Sequence, residues 1–156
     1  MVVHVDWKKL LISILITFGA GFLSSLLANN MEGYGMLARP SFSPPGVVFP
    51  IVWSILYLLI GISFYLIWVA LGMDKQRAFV MFYIQLFLNF IWSPIFFGIE
   101  QRFLALVILA LLWGSILLMI YAFYKISKPA AYLLFPYFIW VSFAGVLNYA
   151  FWVLNR

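Results

Sequence analysis

The side chains of this 156-residue chain that could do chemistry are aromatic rings and amides, and they recur at helical spacing. Gln85, Asn89 and Trp92 stand at i, i+4 and i+7, so they share one face of a helix. Phe96 continues this face one turn later. Two further sets have similar spacing: Trp53 with Tyr57, and Trp140, Ala144, Asn148 and Trp152. Apolar pockets with a few orienting polar groups are the usual small-molecule sites, so the pattern predicts an aromatic ligand cavity. For any single amide, hydrogen bonding between packed helices is the favoured alternative.

The residues that nucleophilic catalysis, metal binding or ion coupling would need are missing from the sequence. The chain has no cysteine and one histidine, His4, which we expect to be a solvated terminal residue rather than a ligand of a porphyrin iron. No Ser-His-Asp set, metal cluster or phosphate-binding loop can therefore be assembled, and no cofactor is required. Because the long apolar stretches contain no acid or base, an ion-coupled pump is not expected.

The elements that position these side chains are membrane helices. The chain is 67% apolar and 8% charged, whereas soluble domains are about 45–50% apolar and about 25% charged. Five uninterrupted apolar stretches approach or exceed the ~20 residues of a membrane helix: 10–28, 47–71, 79–98, 103–124 and 130–154. They are too long and too continuous for barrel strands. The fold class predicted is an all-α membrane protein, one domain forming a bundle of five transmembrane helices.

Loops and charges give the topology. Tight loops predict that successive helices are antiparallel neighbours, except across the long loop 29–46, whose prolines indicate an ordered lid. The nine basic residues are scattered in ones and twos, which favours a membrane surface over nucleic acid. Six lie on one side and three on the other, which predicts a cytoplasmic N-terminus and an external lid. Counted from the helix ends, Trp140 should lie deeper than Trp53, with both rings bordering one cavity.

Small residues mark two helix surfaces. The first apolar stretch carries a stripe at steps of four: Ser13, Thr17, Gly21 and Ser25. Such stripes let helices approach closely, so we expect packing rather than ligand contact there. Ala110 and Gly114 give the fourth stretch a shorter version, which predicts a contact between two copies in a homodimer.

Four segments resemble a known family in matching order. They are 39–46 (RPSFSPPG, followed by Pro50 and Trp53), 85–98 (QLFLNFIWSPIFFG), 130–140 (AAYLLFPYFIW) and 143–149 (FAGVLNY). They resemble the blocks K/R-P-x-W/F-x-P-P, Q-L-x-L-N-x-x-W-x-P-I-F-F-G, A-A-x-L-L-x-P-Y-x-x-W and F-A-x-x-L-N-Y of the TspO/MBR family. This is the translocator protein or tryptophan-rich sensory protein family, also called peripheral-type benzodiazepine receptors.

The resemblance implies a bacterial-type protein of the cell membrane, often dimeric, that binds porphyrins such as protoporphyrin IX and small hydrophobic ligands among membrane lipids. Trp53 and Trp140 match a tryptophan pair tied to porphyrin degradation. Other positions match the family's pocket lining: Tyr57, Asn89, Trp92, Ala144 and Leu147. To these we add Phe96, Pro44 of the lid, and Arg39, which could meet a porphyrin propionate at the pocket mouth.

Three functions remain open at this point. The first is a sensor or regulator that binds tetrapyrroles, the second an enzyme that degrades protoporphyrin with light and oxygen, and the third a translocator of ligands. A scaffold whose cavity holds lipid is a further alternative. The family's sterol motif places a basic residue four positions after Tyr149, where this chain has Val153, so sterol binding through the last helix is not expected.

Overall fold

The computed structural model describes residues 5–28 and 31–156, so His4 lies outside the described residues. The helices are α1 (Trp7–Leu27), α2 (Met31–Gly35), α3 (Val48–Val69), α4 (Gln76–Ser93), α5 (Arg102–Tyr124), α6 (Lys128–Tyr132) and α7 (Phe135–Leu154). Five units are long and apolar enough to cross a membrane: α1, α3, α4 with its extension to Gly98, α5, and α6 with α7. The predicted fold class is therefore confirmed, and the lid loop contains the short helix α2.

Local chemistry explains where several helices begin. Asp6 caps α1, because its carboxylate accepts a hydrogen bond of 3.1 Å from the Lys9 backbone N–H. This bond lowers the pKa of the Asp6 carboxyl. Ser127 accepts the Ala130 N–H at the start of α6 in the same way. The Asp6 cap sets the start of α1 at Trp7, three residues before the stretch predicted from hydropathy.

A π-helical turn, Pro94–Gly98, extends α4. The Ile99 N–H donates to the Pro94 carbonyl at 3.0 Å, five residues earlier. A proline lacks the N–H that an α-helix needs, so the hydrogen-bond register changes at this point. The wider turn carries Phe96 and Phe97, whose rings meet edge to face at 4.7 Å.

The order of helices around the bundle is α3, α1, α4, α5, α7, with α7 and α6 closing against α3. The expectation that the tightly connected helices α3 and α4 are neighbours is wrong for their backbones, because α1 lies between them, although their side chains meet at Phe64 and Phe82. The small-residue stripe explains this. A β-carbon at Gly21 would overlap the Tyr57 ring, and Thr17 donates to the Tyr57 carbonyl at 2.8 Å. The predicted packing role of Thr17 and Gly21 is confirmed.

The half of the bundle away from the lid is the packed core. Phe64 of α3 stacks on Phe82 of α4 with centroids 3.8 Å apart, which fills the gap between these two helices. Other fully buried side chains surround the pair: Ile67, Ile116, Met119, Phe123 and Leu134. The cavity described below therefore lies toward the lid, above this closely packed core.

The lid is clasped to the end of α7. The Ala38 N–H donates to Asn155 Oδ1 at 2.9 Å, and Asn155 Nδ2 donates to the Ala38 carbonyl at 3.0 Å. From there the chain runs back along α7, where Phe42 contacts Phe143 with centroids 6.5 Å apart. Helix α3 therefore begins well below the lid end of α7.

Candidate ligand cavity

Two chambers lie side by side under the lid. The inner chamber, of about 30 Å³, is lined by Tyr34, Phe49, Trp53, Trp92, Phe96, Phe97, Trp140, Ala144, Leu147, Asn148 and Phe151. The side chamber, of about 200 Å³, is lined by Gly21, Ser24, Ser25, Phe49, Pro50, Trp53, Tyr57, Asn89, Trp92, Ser93 and Phe97. Four rings line both and form the partition between them: Phe49, Trp53, Trp92 and Phe97.

The aromatic walls are built by rings from four elements. Trp53 stacks on Tyr57 at 5.4 Å with planes 27° apart, and Trp92 stacks on Phe96 at 5.5 Å. Tyr34 reaches in from α2 and meets Phe97 edge to face at 5.0 Å. Burial raises the pKa of the Tyr34 hydroxyl, so this group is a neutral phenol at physiological pH. The walls thus offer ring faces and edges to a flat hydrophobic ligand.

A chain of hydrogen bonds runs behind the side chamber and joins α3, α4 and α7. Tyr57 donates its hydroxyl proton to Asn89 Oδ1 at 3.1 Å. Asn89 Nδ2 donates to the Tyr137 hydroxyl at 2.8 Å, and Tyr137 donates to Gln85 Oε1 at 2.9 Å. The amide face predicted on α4 is therefore used between helices, while Asn89 also lines the side chamber.

Two indole nitrogens of the inner chamber differ in their surroundings. Trp92 Nε1 donates to Asn148 Oδ1 at 3.1 Å, and Asn148 Nδ2 donates to the Arg102 carbonyl at 3.0 Å. Trp140 Nε1 is buried and has no hydrogen-bond partner within the described part of the chain. The Trp140 N–H is therefore a donor that a ligand acceptor could satisfy.

The structure brings eight of the ten predicted site residues to the chambers. Six line the inner chamber: Trp53, Trp92, Phe96, Trp140, Ala144 and Leu147. Tyr57 and Asn89 line the side chamber. Pro44 instead lines a groove on the outer side of Trp140, between α3 and α7. Arg39 is exposed, with its guanidinium carbon 5.1 Å from the centroid of the Tyr34 ring, so it lies beside a wall residue.

The relative depth of the two tryptophans was predicted wrongly. Trp53 meets Tyr137, with centroids 6.3 Å apart. Trp140, nearly one turn closer to the lid end of α7, meets Phe49 at the start of α3, at 5.9 Å. Counting from helix ends failed because α3 begins below the lid end of α7. Both rings nevertheless line the inner chamber, as expected.

Several lining residues were missed in the sequence. Tyr34 lies in the lid, and Phe97 lies in the π-helical turn, where α-helical spacing does not apply. Phe49 and Phe151 lie near the ends of α3 and α7 and carry no polar tip to mark them. The stripe on α1 could have revealed Gly21 and Ser25, which both line the side chamber. Gly21 also packs against Tyr57, whereas the packing expected of Ser25 is wrong, because Ser25 is exposed.

Comparison with known proteins gives a consistent result. The sequence model of the TspO/MBR family matches residues 13–153. The chain is 42% identical over 125 residues to the tryptophan-rich protein TspO of Chlorobaculum tepidum, covering 78% of each chain. It is 40% identical over 141 residues to the translocator protein of Sus scrofa, covering 87% of this chain and 83% of the relative. It is 31% identical over 152 residues to the tryptophan-rich sensory protein of Cereibacter sphaeroides, covering 97% and 94%.

Proposed function

Since this chain belongs to the TspO/MBR family and is an integral membrane protein, we propose that it binds porphyrins and other flat hydrophobic molecules in the two chambers, as a sensor or regulator of tetrapyrrole and stress responses. The observation that carries the proposal is the convergence of Trp53, Trp92 and Trp140 on one inner chamber. Each aromatic contact to a ligand ring adds about 0.5–1.5 kcal/mol beyond burial. The names of relatives as sensory and translocator proteins agree with a ligand-binding membrane protein.

The size of the chambers defines what binding requires. Small-molecule sites usually have about 300–1,000 Å³, whereas the chambers measure about 30 and 200 Å³. A tetrapyrrole therefore needs the partition rings to turn and join the two spaces. Tyr34 and Phe49 are the wall residues best placed to move, because both lie at or next to the lid.

Titration with protoporphyrin IX in detergent micelles tests the proposal. Tryptophan fluorescence should be quenched saturably, because the macrocycle contacts the indoles. A Trp53→Phe/Trp140→Phe variant should lose most of this quenching and bind more weakly. Trp113→Phe is the matched control, since Trp113 lies between α5 and α7 and donates to Ser142 outside both chambers. Equal saturable quenching in the double variant and the wild type would contradict the proposal.

A second candidate is oxidation of the bound porphyrin by dioxygen in light. It is favoured by the position of Trp53 and Trp140, which line the same chamber and could exchange electrons with one macrocycle. Illumination in air should bleach porphyrin absorbance with the wild type, and should not do so with the double variant. Equal bleaching rates with the wild type and the double variant would exclude this role for the pair. A bleaching rate reduced only in Trp113→Phe would exclude it as well.

A further inference from the structure

Gln85 and Tyr137 lie behind the wall of the side chamber and are both fully buried. They end the hydrogen-bond chain that begins at the chamber wall with Tyr57 and Asn89. We propose that Gln85, acting through Tyr137 and Asn89, determines whether the Tyr57 hydroxyl meets a ligand as a hydrogen-bond acceptor or as a donor. The inference rests on the proposed function, because it concerns a ligand in the side chamber. Gln85 and Tyr137 are then positioning residues.

The chain has one direction. A phenol carries a single proton, and an amide oxygen only accepts. Tyr137 donates its proton to Gln85 Oε1 at 2.9 Å, so it can only accept from Asn89 Nδ2, at 2.8 Å. The Asn89 amide is thereby held with its oxygen toward Tyr57, which donates to it at 3.1 Å. Gln85 Oε1 is the terminal acceptor that fixes all three bonds.

The direction has a consequence for the ligand. Since the only proton of Tyr57 is committed to Asn89, the hydroxyl offers lone pairs to the side chamber. A ligand N–H or O–H can donate to them. A ligand carbonyl cannot take the Tyr57 proton without breaking the bond to Asn89.

Gln85 is the point at which this direction can be reversed. Its Nε2 has no hydrogen-bond partner within the described residues, so its contribution to the chain is the carbonyl oxygen. Without that oxygen, the Tyr137 proton turns to Asn89, and the Asn89 amide flips to accept it. Asn89 Nδ2 then donates to the Tyr57 oxygen, and the Tyr57 proton becomes available to the chamber. The low dielectric of the interior strengthens such coupled rearrangements.

Three flat tricyclic probes of nearly equal shape test the assignment: carbazole, which has a ring N–H donor, 9-fluorenone, which has a carbonyl acceptor, and fluorene, which has neither. Their affinities are measured by tryptophan quenching for the wild type and for Gln85→Met, which removes the acceptor and keeps the length of the side chain. The ratio of fluorenone affinity to carbazole affinity should rise roughly fivefold in Gln85→Met, the effect of about one hydrogen bond. Fluorene affinity should change little.

A control variant separates positioning from general damage. Ser63→Ala removes another buried hydrogen bond, from Ser63 to the Ala130 carbonyl at 2.7 Å, and should keep the wild-type ratio. The infrared carbonyl stretch of bound fluorenone should move to lower frequency in Gln85→Met, because the ketone then accepts the Tyr57 proton.

The outcomes are distinct. An unchanged affinity ratio and carbonyl stretch in Gln85→Met, with the probes still bound, would overturn the assignment. Should Gln85→Met not fold, Tyr57→Phe tests the direction of the hydrogen bond at Tyr57, on which the assignment depends. It should leave the carbonyl stretch of bound fluorenone at the wild-type frequency, and a rise would show that Tyr57 already donates to the ligand. Failure of all three probes to bind the wild type would contradict the proposed function, and this assignment with it.

Discussion

Trp140 combines a ring packed between α3 and α7 with a buried N–H that lacks a partner in the described chain. Its ring meets Phe49 at 5.9 Å and Phe143 at 5.5 Å. A buried donor without an acceptor costs about 1–3 kcal/mol. A ligand carbonyl or carboxylate that reaches this N–H would supply the acceptor, and its affinity should rise accordingly.

Trp140→Phe and Trp140→Ala should consequently behave differently. Phenylalanine keeps an aromatic ring and removes the unpaired N–H, so thermal stability without ligand should change little, while protoporphyrin affinity falls severalfold. Alanine removes the ring and should lower the free energy of unfolding by about 3 kcal/mol. Thermal unfolding and porphyrin titration measure both effects. Equal destabilisation by the two substitutions would mean that the indole N–H stabilises the free protein.

Arg39 lies beside a chamber wall through its contact with the Tyr34 ring. Arg39→Gln should weaken binding of protoporphyrin IX by about two- to fivefold, the worth of an exposed ion pair of up to ~1 kcal/mol. Binding of the dimethyl ester, which has no carboxylate, should not change. Arg156→Gln is the control, because Arg156 lies over Trp152 instead, outside both chambers. A similar loss of affinity for the dimethyl ester and the free acid would mean that Arg39 stabilises the lid rather than binding a carboxylate.

At the scale of elements, the apolar runs and charged breaks were sufficient to predict five helices, because membrane helices are defined by length and hydropathy. Two arrangements were not predictable from these patterns. The π-helical turn at Pro94 depends on a change of hydrogen-bond register, and the position of α1 between α3 and α4 depends on contacts such as Gly61 against Ile14. Most site residues on α3, α4 and α7 followed from helical spacing, and Leu147 followed from the family resemblance, whereas Tyr34 and Phe97 followed from neither.

The contact between α1 and α3 gives a sharp test of packing. Gly21→Val should destabilise the protein by about 1–3 kcal/mol, because the added side chain must displace the Tyr57 ring. Ligand affinity should fall as well, since Tyr57 holds Asn89 and stacks on Trp53. Gly19→Val, at a position with open space around its α-carbon, should have little effect on either quantity. Thermal unfolding measures the stability, and carbazole titration measures the affinity. Equal stability and affinity of Gly21→Val and Gly19→Val would contradict the close approach of α1 and α3.

At the scale of the whole molecule, the basic residues separate into two ends. Lys9 lies 6.0 Å from the Trp68 ring, and Lys75 donates to the Trp68 carbonyl at 2.8 Å, so the start of α1 and the end of α3 share the end away from the lid. We infer that this end, with six of the nine basic residues, faces the cytoplasm. Reporters fused to the two termini should then be active in the cytoplasm at the N-terminus and outside at the C-terminus. The reverse pattern would overturn the inference.

The surface of α5 is where we expect a second copy to bind. A β-carbon at Gly114 would meet no atom within 4 Å, and Ala110 lines a groove between α5 and α7. Gly114→Leu should convert a dimer to a monomer in detergent, as measured by light scattering. Gly19→Leu, on α1, should leave the dimer intact. A dimer that survives Gly114→Leu, or a wild type that is monomeric, would contradict this interface.

The hydrogen bonds between Ala38 and Asn155 make the opening of the lid measurable by hydrogen exchange. The Ala38 amide hydrogen is held by Asn155 Oδ1, so its exchange with deuterated water requires the clasp to break. The protection factor at this one amide therefore reports the equilibrium between closed and open lid. Its increase on adding porphyrin would give the free energy by which a bound ligand holds the lid shut.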